Sequence, residues 1–211
     1  MHSVMFCGIN PGQQSALIGH HFGNPRNHFW SCLYESGLTS RKLDPREDFK
    51  LPEEFSIGIT NLVERPTAEQ SELSRKEQVD GVPRLLDKIA QYRPRIVCFV
   101  GLGIADIFRA NVTEKKATKT KTDIGLQNYK MVHSRNSNYA FPVTKSPDVE
   151  TLFYVVSSTS GRVVKYQKVD KIQQFKDLRA LVEQLKRGDI PTAELEIIHN
   201  YTNRSSLEAT S

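Results

Sequence analysis

Two kinds of apolar pattern alternate along this chain. Short unbroken blocks that end at glycine, proline or asparagine predict buried strands, and longer stretches with an apolar residue every three or four positions predict helices with one covered face. The first block, Val4 to Ile9, stops at Asn10-Pro11-Gly12 and reads as a strand feeding a sharp turn. His28 to Tyr34 carries apolar residues at helical spacing and stops near Gly37, which predicts a first helix. Phe55 to Thr60 reads as a second strand, with Asn61 to Thr67 as the loop at its end. Ser74 and Glu77 match a capping box, and Val79, Val82, Leu85, Leu86 and Ile89 mark one face of the helix that runs on to Pro94. Arg95 to Gly101 is a third strand, Ile104 to Arg109 a short helix, and Thr151 to Val156 a last clear strand running into the loop Ser157 to Arg162. The final helix turns Val169, Ile172, Phe175, Leu178, Leu181, Val182 and Leu185 inward and ends at Gly188 and Pro191.

Strands alternating with helices predict an α/β fold, with a central, mostly parallel sheet flanked by helices on both faces. Such sheets bind ligands beyond the carboxyl ends of their strands, where the polar loops after the first, second and last strands would meet. The Lys/Thr-rich stretch Thr113 to Thr122 and the Asn/Ser/Pro-rich stretch Ser134 to Pro147 read as surface insertions flanking a hairpin or loop. Lys115, Lys116, Lys119 and Lys121 are read there as a solvated face, phosphate contact being the alternative. One domain is expected over 1–190, with 191–211 as a tail. A strand beginning so near Met1 fits a natural terminus and the core of a longer protein equally well.

A chain of 211 residues is long enough for one sizeable core. Cys7, Cys32 and Cys98 are odd in number, far apart and set among apolar neighbours, as reduced structural cysteines are, so a reducing, intracellular setting is expected. Neither they nor the histidines show metal-ligand spacing, and no metal or other cofactor is expected. No apolar run reaches the roughly 20 residues a membrane span needs, and no membrane partner is expected. The formal charge of +5 and pI near 9.1 favour a polyanionic partner only weakly.

The first loop narrows the chemistry. Asn10 offers a carbonyl acceptor and an amide donor but no useful basicity, so it can orient a water without deprotonating it. That suffices for a reaction through a cationic, oxocarbenium-like sugar, which needs a weak nucleophile held in place and stabilisation of the departing anion. Pro11 and Gly12 fix the turn, Ser15 adds a hydroxyl and Phe22 a flat face. Taken singly these residues have plainer readings. Asn-Pro-Gly is what turns require, Phe22 and Trp30 suit a core, His20 and His21 suit a surface, Asn61 and Thr67 cap turns, and Ser157 to Arg162 is an ordinary loop into a helix.

The longer pattern lifts them above those readings. Gly8-Ile9-Asn10-Pro11-Gly12, then Ser15-Ala16, Gly19-His20-His21-Phe22 and Asn27-His28-Phe29-Trp30, resemble the first motif of the mismatch-specific uracil/thymine DNA glycosylases. The resemblance continues through Ile59 to Arg65, Pro94-Arg95-Ile96, Gly125-Leu126-Gln127 and the Ser157 to Arg162 loop, leaving only the two insertions and the tail outside it. It implies a three-layer uracil-DNA-glycosylase-like sandwich and a monofunctional enzyme without a cofactor. Such an enzyme hydrolyses the N-glycosidic bond of uracil flipped from mismatched double-stranded DNA, with thymine, ethenocytosine and deaminated purines as further candidates. It also implies a monomer, working in the nucleus, that hands an abasic site to downstream repair factors.

By the same resemblance Asn10 positions the water, Phe22 stacks on the base, and Ile9 and Phe22 offer main-chain groups to its edge. Ser15, His21, Asn61 and Thr67 line the pocket, and Ser158, Thr159, Ser160, Gly161 and Arg162 take the place of the wedge that enters the duplex. Two departures stand out. The wedge positions carry Thr159 and Gly161 where some relatives carry Leu or Arg, with an arginine displaced to Arg162, which predicts weak apolar insertion. Ser15 stands where a thymine-processing relative carries Ala, which predicts a preference for uracil. Two rivals remain: a non-catalytic module recognising mismatches or abasic sites, which the intact Asn10 disfavours, and a small-molecule nucleotide enzyme, which lacks the Gly-x-x-x-x-Gly-Lys pattern.

Overall fold

Val4–Gly8 is buried at every position, and so is Ile96–Val100, so both strands need cover on two faces and take the middle of a sheet. The computed structural model describes residues 3–113, 122–133 and 149–198 and shows how that cover is supplied. Strands β1 (Val4–Gly8), β2 (Ile57–Asn61), β3 (Ile96–Val100), β4 (Gly125–His133), β5 (Val149–Val156) and β6 (Glu196–Ile198) form one sheet in the order β2-β1-β3-β5-β4-β6. β1, β2, β3 and β5 are mutually parallel; β4 pairs antiparallel with β5, and β6 runs parallel to β4.

Alternate residues of each strand serve opposite faces. Met5, Cys7, Val97 and Phe99 pack with the inner faces of α4 (Arg75–Tyr92) and α5 (Leu102–Val112). Val4, Phe6, Ile96 and Cys98 pack with α2 (Phe29–Glu35) and α6 (Lys168–Arg187). The result is the three-layer α/β sandwich that the alternation predicts. The capping box at Ser74 is formed: its hydroxyl accepts from Glu77 N, and the Glu77 carboxylate accepts from Ser74 N. α4 then ends at Arg93 in the left-handed region, directly before Pro94.

Several elements differ from the sequence expectation. Gln13–Ile18 forms α1, and Pro45–Lys50 and Leu51–Phe55 form a 3-10 helix and α3. Phe55 therefore closes a helix, and β2 starts at Ile57 after Ser56 turns the chain at φ 55°. The stretch between the two insertions, expected as a hairpin or loop, is the strand β4, whose last residues, Met131 to His133, pair with Thr151 to Val149. Past Pro191 the chain was expected to be a tail, but Glu196–Ile198 adds the edge strand β6, because Ile198 finds a buried place in the α4–α5 layer. Val169 is 70% exposed, since the covered stripe of α6 runs through Lys171, Gln174, Phe175, Leu178, Leu181 and Val182. Lys115, Lys116, Lys119 and Lys121, and the 134–147 stretch, lie outside the described residues. No helix among the described residues is long and apolar enough to cross a membrane.

One buried polar knot gives the fold a pH dependence. The Thr151 hydroxyl donates to Pro94 O at 2.5 Å, so it accepts from Nε2 of the buried His133 at 2.8 Å, and the imidazole is neutral with its proton on Nε2. Burial, helped by the charge of Arg93, pulls its pKa down from 6.5 to about 4. The unfolded chain takes up this proton at higher pH than the fold does, so the contribution is intact above about 6.5 and is lost as pH falls towards 4. The loss is at most about 3 kcal/mol. Thermal midpoints recorded from pH 7 to pH 4 should fall less steeply for His133→Gln than for the wild type; parallel curves would remove His133 from the account.

Candidate active site

The carboxyl ends of β1, β2 and β5 bring three distant loops to one edge of the sheet. Two of them are stitched together by main-chain bonds that prolong the parallel β1–β2 ladder: Leu62 N donates to Gly8 O at 2.9 Å, Val63 N to Ile9 O at 2.8 Å and Thr67 N to Pro11 O at 3.1 Å. The third is tied to the start of α2 by His28 N, which donates to Thr159 O at 2.9 Å. Between them lies a cavity of about 950 Å³. All the residues singled out from the sequence line it: Ile9, Asn10, Ser15, His21, Phe22, Asn61 and Thr67, together with Ser158, Thr159, Ser160, Gly161 and Arg162.

Asn10 is fixed in a single orientation. Its Nδ2 donates to Arg65 O and to Thr67 Oγ1, both at 2.8 Å. A main-chain carbonyl can only accept, so the amide nitrogen must face Arg65, and both its hydrogens are used. Oδ1 is left as the acceptor for a ligand.

Phe22 sits at φ 51°, a left-handed backbone that costs a non-glycine residue roughly 1–2 kcal/mol. Packing offsets it. The ring stacks on Phe29 with centroids 3.9 Å apart and planes at 16°, and Phe29 in turn meets Phe6 and Trp30 edge-on. Behind the ring, Gly8 leaves the space that the site needs: a Cβ there would stand 2.7 Å from Asn61 Oδ1 and 3.4 Å from Phe22 Cζ, so its bare Cα makes room for both side chains.

The loop that carries Phe22 has two further anchors. Buried Ser15 accepts from Gly23 N at 2.9 Å through Oγ. Asp48, from the 3-10 helix, accepts from His21 N at 2.9 Å and pairs with His20 Nδ1 at 3.0 Å. Burial pushes the His21 imidazole below its ordinary pKa, against the opposing pull of Asp48, so it is neutral near pH 7.

The decisive comparison agrees with this geometry, because residues 2–186 match the family described as the Uracil DNA glycosylase superfamily. The chain belongs to that superfamily. It is accordingly a DNA glycosylase, a hydrolase whose partner is DNA, and the cavity lies where sheets of this kind hold their ligands. The match ends within α6, before the edge strand β6.

In this glycosylase the third loop is rooted on α6. Gln174 Oε1 accepts from Ser157 N at 2.7 Å, and Lys171, its side chain 1% exposed, donates to Ser160 O at 2.9 Å. Burial lowers the Lys171 pKa. Thr159 is buried at the loop base, and a Cβ on Gly161 would collide with Arg26 O at 2.5 Å, so neither position is a projecting tip. Arg162 projects and reaches across the mouth to Glu69 at 3.0 Å, and Val164, 81% exposed, projects beyond it. An apolar tip thus lies two residues beyond the stretch assigned to the wedge.

Asp48, Lys171 and Glu69 escaped the sequence reading. Lys171 had a usable signal, a cation on the otherwise covered stripe of α6. Asp48 and Glu69 had none.

Proposed function

We propose that this glycosylase is a monofunctional, mismatch-directed enzyme that hydrolyses the N-glycosidic bond of uracil flipped out of duplex DNA. The orientation of Asn10 carries the reading: an amide whose donors are both satisfied presents one acceptor to the cavity beside the Phe22 ring. In the proposed reaction the flipped base stacks on Phe22, and main-chain groups of Ile9 and Phe22 meet its edge. Oδ1 of Asn10 accepts a hydrogen bond from a water, which turns its lone pair towards the sugar carbon as the bond to the base breaks. Asn61, Thr67 and neutral His21 complete the pocket, and the group that holds the water is an amide without useful basicity, as suits a weak nucleophile attacking a cationic sugar. No lysine lines the cavity among the described residues, which favours hydrolysis over an imine-forming lyase step.

We further propose that Ser158 to Arg162, with Val164, meet the duplex where the base leaves it. Flipping is cheapest at mismatched or damaged pairs, so a small wedge would favour such sites. The enzyme is proposed to act as a monomer in the nucleus and to pass its abasic product to enzymes that process such sites.

The test is single-turnover base release from a duplex with one G·U pair, in EDTA, with ethenocytosine, hypoxanthine and G·T duplexes alongside. Release of uracil supports the reading; tight binding with no release from any of them overturns it in favour of a damage-binding module. Ser15→Ala gives a second test. Losing the hydroxyl leaves Gly23 N–H without its partner, at a cost of about 1–3 kcal/mol, and opens room beside the base. A lower thermal midpoint and a higher ratio of G·T to G·U release are expected. An unchanged ratio would remove the steric explanation for uracil preference.

A further inference from the structure

We infer that Arg65 is a positioning residue for Asn10, acting through its own main-chain carbonyl and held in place by the capping carboxylate of α4. The inference rests on the proposed role of Asn10. The Arg65–Pro66 peptide has no amide hydrogen, so no donor of its own fixes its plane. Yet its carbonyl is one of the two acceptors that orient the Asn10 amide.

The plane is held from both sides. Downstream, Thr67 N donates to Pro11 O at 3.1 Å. Upstream, the Arg65 guanidinium grips Glu77 with two bonds, Nε to Oε1 at 2.7 Å and Nη2 to Oε2 at 3.2 Å, and Nη2 also donates to Glu72 O at 2.9 Å. Glu77 is itself fixed, since its Oε2 accepts from both Ser74 N and Ser74 Oγ at the first turn of an 18-residue helix.

The route therefore runs from a helix cap through a guanidinium and a carbonyl to the reacting amide. An ion pair this exposed contributes little stability, so its value is geometric. The fork matters as well as the charge: a lysine ammonium cannot span a carboxylate and a carbonyl in the same planar arrangement.

The experiment is single-turnover G·U release and duplex affinity for Arg65→Met, Arg65→Lys and Glu77→Gln, with Arg65→Met repeated on an Asn10→Ala background and thermal midpoints recorded throughout. Expected are a fall in rate of roughly 10-fold to 100-fold for Arg65→Met, a smaller fall for Arg65→Lys, unchanged affinity, and no further loss when Asn10 is already alanine. Glu77→Gln, which keeps the Arg65 side chain, should slow release in the same way. An unchanged Arg65→Met rate overturns the inference, as does an equal further loss on the Asn10→Ala background. Weaker binding with a shallower salt dependence would overturn it too, by making Arg65 a phosphate contact. Absence of release by the wild type would instead defeat the proposed function.

Discussion

Asn10→Ala is expected to slow single-turnover release of uracil from a G·U duplex by roughly 10²–10³-fold or more, with duplex affinity nearly unchanged. The expectation follows from what the residue touches. Its partners are Arg65 O and Thr67 Oγ1, both inside the protein, so in the proposed reaction truncation removes the acceptor for the water while leaving the Phe22 ring proposed to stack on the base, and the outer loops, in place. Asn10→Asp is a sharper variant of the test, because it sets a carboxylate against the Arg65 carbonyl, two acceptors with no hydrogen between them. It should be slow at neutral pH despite its greater basicity. Rapid quench assays paired with fluorescence anisotropy separate the two quantities, and an Asn10→Ala enzyme as fast as the wild type would remove Asn10 from the reaction.

Gly81→Ala is expected to lower the thermal midpoint by several degrees and to damage the site from a distance. A Cβ at Gly81 would stand 2.2 Å from Leu62 O and 3.1 Å from Leu62 C, both backbone atoms that no rotamer change can move aside. Alanine gains about 1 kcal/mol over glycine inside a helix, but overpacking of this kind costs about 1–3 kcal/mol, more where only backbone can yield. The clash therefore wins. Relief requires α4 to move away from Leu62, the residue after Asn61 and the first stitch to Gly8. Scanning calorimetry and release assays below the midpoint would check both parts; an unaltered midpoint would show that the helix shifts freely there.

What the sequence could reveal depended on how each segment earns its burial. β1 and β3 were legible because both faces are covered and every residue is apolar or small. α1 was not: it shows no apolar stripe, its one buried residue is Ser15, and Leu17 is 80% exposed. β4 was hidden by Lys130, a charge that reads as surface yet is 6% exposed and paired with Glu150 at 2.7 Å. β6 is too short, and too close behind Pro191, to show any period. The residues around Asn10 and Phe22 stood out through a contiguous motif, whereas Asp48 reaches His21 across 27 positions and Glu69 reaches Arg162 across 93. Pairings of that kind exist only once the chain has folded.

Because Gly8, Ile9 and Pro11 accept main-chain bonds from Leu62, Val63 and Thr67, the floor of the cavity is a continuation of the sheet and breathes only when the β1–β2 pairing breaks. β2 is the edge strand of the sheet, so amide hydrogens at the floor should exchange more slowly than those of the rim loops and faster than those of β3. The Arg162–Glu69 crossing at the mouth is exposed and opens for about 1 kcal/mol or less. The rim can then move on the nanosecond-to-microsecond timescale of loops, over a floor that is held by the sheet. Changes of residue at the rim are thus free to retune which lesions are admitted, while the floor keeps the chemistry constant.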